Sequence, residues 1–168
     1  FYRHTLISID PAVTTAKRSD YTGIAVVSNS PDGKLYVRYA DQVKLNSDQL
    51  AAKVAELVEE FGVGIAVVET NQGGDLWRQV FKDLPCKFRA IRQKEKKEIR
   101  AGQVVDYYKR GQVKHTQHFH IAEEQMLAFP HVTHDDVVDA ICTGVLAFKK
   151  YARRPVTATQ TKYMKEAS

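Results

Sequence analysis

With 168 residues, 43% of them hydrophobic and 27% charged, the chain has the size and composition of one domain built on one core. No apolar run approaches the ~18 residues that span a bilayer, and the first residues lack the pattern of a secretory leader, so no membrane partner is expected. Lys and Arg number 25 against 20 Asp and Glu, a formal charge of +5 that is compatible with a polyanionic partner without requiring one.

The chain opens on Phe1 and enters its first apolar run almost at once, which is read as a fragment of a longer protein. Residues 5–10 (TLISID) form a short apolar run closed by Asp-Pro, a strand ending in a turn. Residues 22–28 are a second strand. Pro31-Asp32-Gly33 is a turn, and residues 34–43 are a third strand, so an antiparallel meander is expected. Asn46 or Ser47 then caps a helix to about Phe61, with Leu50, Val54, Leu57, Val58 and Phe61 on its apolar face. Residues 65–69 (IAVVE) are continuously apolar up to the Glu, as in a central strand covered on both faces.

Gly73-Gly74 opens a helix carrying Leu76, Trp77, Val80 and Phe81, and residues 87–91 form another short strand. Residues 96–110 read as a polar helix ended by Gly111, and residues 115–126 hold a short helix. Asp135 starts the last long helix, whose apolar face is Val138, Ile141, Cys142, Val145 and Phe148. Residues 1–151 are taken as the domain and 152–168, polar and rich in Thr, as a flexible tail. Cys86, in a strand, and Cys142 have no metal-site spacing and read as small buried residues in a reducing compartment. The element order predicts an α/β domain with a mixed central sheet, a three-strand antiparallel meander plus parallel strands, flanked by helices: the order of an RNase H-like fold.

That fold would gather three acidic features. Asp10 ends the first strand, Glu69 ends the buried strand, and Asp135, Asp136 and Asp139 open the last helix. Like charges so gathered raise one another's pKa and call for cations. Carboxylate oxygen suits Mg²⁺ or Mn²⁺, and two such ions can clamp a scissile phosphate. Each acid also has an ordinary explanation. Asp10 before a proline can start a turn. Glu69 can be a strand-end charge. Asp135 is read first as the helix cap and Asp136 as a partner of the helix dipole. Asp136 and Asp139, three apart, project on one side of the helix, and three acids in five residues exceed what capping requires. Arg92, Lys94, Lys96, Lys97 and Arg100 form a basic segment. It either contacts phosphates or is a solvated helix face partnered by Glu95 and Glu98.

Five segments together resemble the nuclease domain of bacteriophage terminase large subunits: ISIDPAV and SDYTGIAVV, IAVVETNQGG, KKEIRAGQVVDYYKRGQV, and EQMLAFPHVTHDD running into HDDVVDA. They occur in the family's order across residues 5–150. The resemblance implies a two-metal endonuclease that cuts concatemeric double-stranded viral DNA during genome packaging. Asp10, Glu69, Asp136 and Asp139 would be both catalytic and metal-binding residues, supported by Asp135 and Asp20 in the layer behind them. Lys96, Lys97 and Arg100 would contact DNA. Implied partners are the terminase ATPase domain, the portal protein and the small terminase subunit, in the cytoplasm of the infected bacterial host. No Gly-rich phosphate loop of the type G-x-x-x-x-G-K-[ST] occurs, so ATP-driven translocation and an actin-like ATPase are not expected of these residues. A Holliday-junction resolvase-like nuclease and a non-catalytic DNA-binding or portal-docking module are the alternatives.

Overall fold

The computed structural model describes residues 1–12, 21–71, 74–131 and 135–152, the last two by backbone alone. Asp20, His134 and residues 153–168, nearly all of the expected tail, lie outside the described residues. The elements in chain order are β1 (His4–Asp10), β2 (Thr22–Asn29), β3 (Leu35–Val43), α1 (Ser47–Phe61), β4 (Ile65–Glu69), α2 (Gly74–Val80), β5 (Lys87–Ile91), α3 (Lys97–Lys109), β6 (Val113–His115), α4 (His120–Ala128) and α5 (Asp136–Ala152). The strands form one sheet in the order β5-β4-β1-β2-β3-β6. The meander β1-β2-β3 is antiparallel, while β4 lies parallel to β1, β5 to β4, and β6 to β3. This is the mixed RNase H-like sheet that the element order predicts.

Side chains alternate across a sheet, so each strand feeds two cores. Ile7 and Ile9 of β1, Ile24 and Val26 of β2, and Ala66 and Val68 of β4 pack with Leu50, Val54 and Leu57 of α1 and with Trp77 and Phe81. Leu6, Ala25, Val27 and Val67 point the other way and pack with α5, α3 and α4. The same alternation carries Asp10, Gly23 and Glu69 onto the α5 face. β1 and β4 run parallel with Ile9 opposite Val68, so Asp10 and Glu69 come out side by side at one edge of that face. Register and burial thus place both acids before any site chemistry is considered.

Local signals set most boundaries. Asn46 caps α1 in a reciprocal box with Gln49, and Gly62 ends the helix in the left-handed region at φ 64°. One expectation needs correction between residues 111 and 128. The chain after Gly111 forms the short strand β6 beside β3, so the helix expected from His115 begins only at His120. The buried residues of α4 are Ala122 and Gln125, and this face gives little apolar period to read. Cys142 is buried as expected, whereas Cys86 is half-buried and precedes β5 rather than lying in it. No helix among the described residues is long and apolar enough to cross a membrane.

Two glycines let α5 lie close to the sheet. A methyl group at Gly144 would come within 3.1 Å of Val27 and 3.3 Å of the Ser8 Cβ. At Gly23 the approach is closer. A methyl there would overlap the Asp136 carbonyl and sit 3.1 Å from the Val137 nitrogen. Gly23 pairs with Asp10 across β1 and β2, so this contact seats the first turn of α5 beside Asp10. Gly23→Ala must push backbone away from backbone. We expect a loss of about 2 kcal/mol or more in denaturant unfolding, from overpacking that no rotamer change relieves. An unchanged midpoint would show that α5 does not need this approach.

Candidate active site

Asp10, Glu69, Asp135, Asp136 and Asp139 meet where the carboxyl ends of β1 and β4 lie under the first turn of α5. Burial pushes the Asp10 carboxyl up to about 8, and repulsion from Glu69, Asp139 and Asp136 adds to the effect, against a lesser pull from Lys97. The Asp139 carboxyl rises to about 6, again chiefly by burial, although Lys97 bonds it and opposes the rise. One ammonium therefore offsets only part of what burial and neighbouring acids cost Asp139.

Two basic side chains of α3 enter this cluster. The Lys97 ammonium donates to both Asp135 and Asp139, at 2.7 Å in the second case. Burial works against its charge, yet the bonds to Asp135 and Asp139 prevail and hold its pKa above the ordinary lysine range. The Arg100 guanidinium lies 3.4 Å from Glu69 Oε1. It comes from a residue only 8% exposed, and its Nε has no hydrogen-bond partner. The other Glu69 oxygen accepts from the Thr143 hydroxyl at 2.8 Å. Glu69 is thus gripped from α3 and from α5.

Lys97 and Arg100, proposed from sequence as DNA contacts, are turned toward the carboxylates. Glu95 and Glu98, the partners that the solvated-face alternative gave them, are not the ones they meet; these are Asp135, Asp139 and Glu69. Lys96, at the N-cap of α3, is exposed, as is Lys94. Asp135 also departs from its first reading. Its carbonyl accepts the first bond of α5, from the Asp139 N–H at 2.9 Å, but its carboxylate goes to Lys97. The side-chain acceptor for the Val137 and Val138 N–H groups is Gln125. Gln125, Thr143 and Gly23 were not singled out from sequence. For Thr143 a signal was available, since it lies one turn beyond Asp139 on the same helix.

The donor set fits a hard divalent cation. It consists of carboxylate oxygens, and burial with mutual repulsion gives them a demand for positive charge that Lys97 leaves partly unmet. Among the described residues no three His, Cys, Asp or Glu are drawn tightly enough around one point to hold an ion as they stand. Lys97 and Arg100 lie on carboxylate oxygens of Asp139 and Glu69.

A model of the family described as the terminase RNaseH-like domain matches residues 7–148. The chain belongs to this family. Its fold is similar to that of the large terminase nuclease from thermophilic phage G20c with bound zinc, at TM-score 0.68 and 18% identity over 86% of this chain and 83% of that one. The G20c nuclease has also been crystallised with bound magnesium and with bound cobalt. The yeast mitochondrial Holliday junction resolvase Ydc2 is similar at TM-score 0.54 and 9% identity, over 87% of this chain and 83% of that one. Thermus thermophilus RuvC is similar at TM-score 0.56 and 17% identity, over 89% and 95%. At these identities the likeness is one of fold. No curated protein sequence matches the chain.

The electrostatics have a pH signature. Asp10 and Asp139 titrate higher in the folded chain than in the unfolded one, so the folded chain holds more protons between them. Stability from these groups is complete below the ordinary carboxylate range and is lost as pH rises through about 6 for Asp139 and about 8 for Asp10. In chelator-treated protein the melting temperature should therefore fall between pH 5 and pH 8.5. Asp10→Asn should flatten that decline and melt higher than the unsubstituted chain at the alkaline end. Parallel curves for the two proteins would show that Asp10 is not held in its protonated form.

Proposed function

We propose that this domain is a divalent-metal-dependent endodeoxyribonuclease that cuts double-stranded DNA by a two-ion mechanism. As in the family it belongs to, the substrate would be concatemeric viral DNA during genome packaging. The observation that carries the reading is the convergence of Asp10, Glu69, Asp136 and Asp139 at one edge of the sheet, with Asp10 pushed up to about 8 by burial and by its acidic neighbours. A purely structural role would not assemble buried like charges, because each costs folding stability.

Asp10, Glu69, Asp136 and Asp139 would hold two ions, Mg²⁺ or Mn²⁺. When bound, such ions neutralise the scissile phosphate and activate the attacking water. The chain's own groups do the positioning. Arg100 from α3 and Thr143 from α5 each hold one oxygen of Glu69. Lys97 holds Asp135 and Asp139, and would turn to a phosphate oxygen once other positive charge meets those carboxylates. Lys96, exposed beside it, would contact the DNA backbone further along. Arg100 is buried against Glu69, so its part in DNA binding would be exerted through that carboxylate. Asp135 supports the site through Lys97, and Asp20 is retained as a supporting acid. The terminase ATPase domain, the portal protein and the small subunit are the proposed partners, and the host cytoplasm the proposed place of action. Residues 1–151 would be the working unit and the remainder a tail.

Plasmid DNA incubated with Mn²⁺, with Mg²⁺ or with EDTA tests the reading. Cutting should need the ion and be stronger with Mn²⁺, which tolerates less regular coordination. Asp10→Asn should reduce it by orders of magnitude, with Glu69→Gln, Asp136→Asn and Asp139→Asn also impaired. Full cutting in EDTA, or by Asp10→Asn, would remove the two-ion mechanism. Four-way junctions cut in preference to linear duplex would favour the resolvase-like alternative.

A further inference from the structure

The α5 helix brings acids to the site at its own N-terminus, where four N–H groups lack partners within the helix. Sequence assigns their capping to Asp135, the residue before α5. The structure gives the task to another element. Gln125 of α4 is 6% exposed, and its side-chain oxygen accepts from the Val137 N–H at 3.1 Å and the Val138 N–H at 3.3 Å. Counted from Asp135, these are the second and third helical residues, whose N–H groups a capping side chain ordinarily serves. The Gln125 amide nitrogen in turn donates to Gln42 Oε1 of β3 at 2.9 Å. Gln42 pairs with Gly23, the residue on which the first turn of α5 rests. One buried amide thus ties α4, the sheet and the start of α5 together.

We propose that Gln125 is a positioning residue for the metal site. By capping α5 from outside, it releases the Asp135 carboxylate to face Lys97 rather than its own helix. It also fixes the depth and rotation of the turn that carries Asp136 and Asp139. This rests on the metal-dependent reading above. Without the Gln125 oxygen, two buried N–H groups lose their acceptor. The ordinary replacement is an N-cap side chain, here that of Asp135, which would then leave Lys97 and let the turn shift against Asp10.

The test compares Gln125→Met, similar in length but without the acceptor, with Gln125→Glu, which keeps the acceptor at a helix N-terminus where negative charge is favoured. Gln42 can turn its amide over to donate to that carboxylate. Mn²⁺ binding is measured by titration against the electron paramagnetic resonance signal of the free ion, at a temperature where each variant is folded. Gln125→Met should weaken Mn²⁺ binding by roughly tenfold to a hundredfold, the range seen when groups supporting metal ligands are removed. Gln125→Glu should restore it. Amide exchange at Val137 and Val138 should quicken in the first variant and recover in the second. A lowered melting temperature with unchanged Mn²⁺ affinity in Gln125→Met would make the residue merely structural and overturn the proposal. Failure of the unsubstituted chain to bind Mn²⁺ would be a different result, removing the metal-dependent reading and this inference with it.

Discussion

Gly23 lies directly beneath the first turn of α5, with no side chain to hold the helix away from the sheet. Asp10 is its partner across β1 and β2, and Glu69 emerges beside Asp10 because β4 runs parallel to β1. Every acid of the cluster therefore depends on how near α5 can come. A helix held even one methyl group further off would bring Asp136 and Asp139 to a different depth, and the carboxylates would meet more water and less of one another. The close approach of helix to strand thus turns scattered strand-end and helix-start acids into a shared, partly dehydrated electrostatic problem.

The chain meets that problem with its own cations and only in part. Lys97 bridges Asp135 and Asp139, and Arg100 with Thr143 holds Glu69. Asp10 is left with lesser help, and its carboxyl remains high. Such an arrangement offsets part of the repulsion among the acids yet keeps a demand for positive charge at the point where Asp10 and Glu69 emerge. Lys97 and Arg100 also restrain the carboxylates of Asp135, Asp139 and Glu69.

The fold was largely legible in the sequence because its signals are local: the continuous run 65–69, the Pro-Asp-Gly turn, the Asn46 cap and the apolar stripe of α5. The strand-end acids were legible for the same reason. The helix before α5 was misplaced because its buried side is Ala122 and Gln125, and a polar residue there breaks the pattern that would mark a helix face. Partnerships across the fold were not legible. Glu95 and Glu98 look like the partners of Lys97 and Arg100 when only neighbours along the chain can be counted, while the real partners come from β4 and α5. Thr143 meets Glu69 across 74 residues, and the acceptor that caps α5 lies 12 residues away from Val137, on another helix. Gly23 reads in sequence as one small residue in a strand, and its role appears only when a helix backbone is laid against it.

The most direct measurement is a crystal structure of the chain grown with Mn²⁺, the ions located by their anomalous scattering. We expect two Mn²⁺ ions among Asp10, Glu69, Asp136 and Asp139, with the Lys97 ammonium no longer on Asp139. Crystals that show no anomalous peak at these carboxylates in saturating Mn²⁺, with Lys97 still bridging Asp135 and Asp139, would contradict the proposal that this cluster is a two-ion catalytic centre.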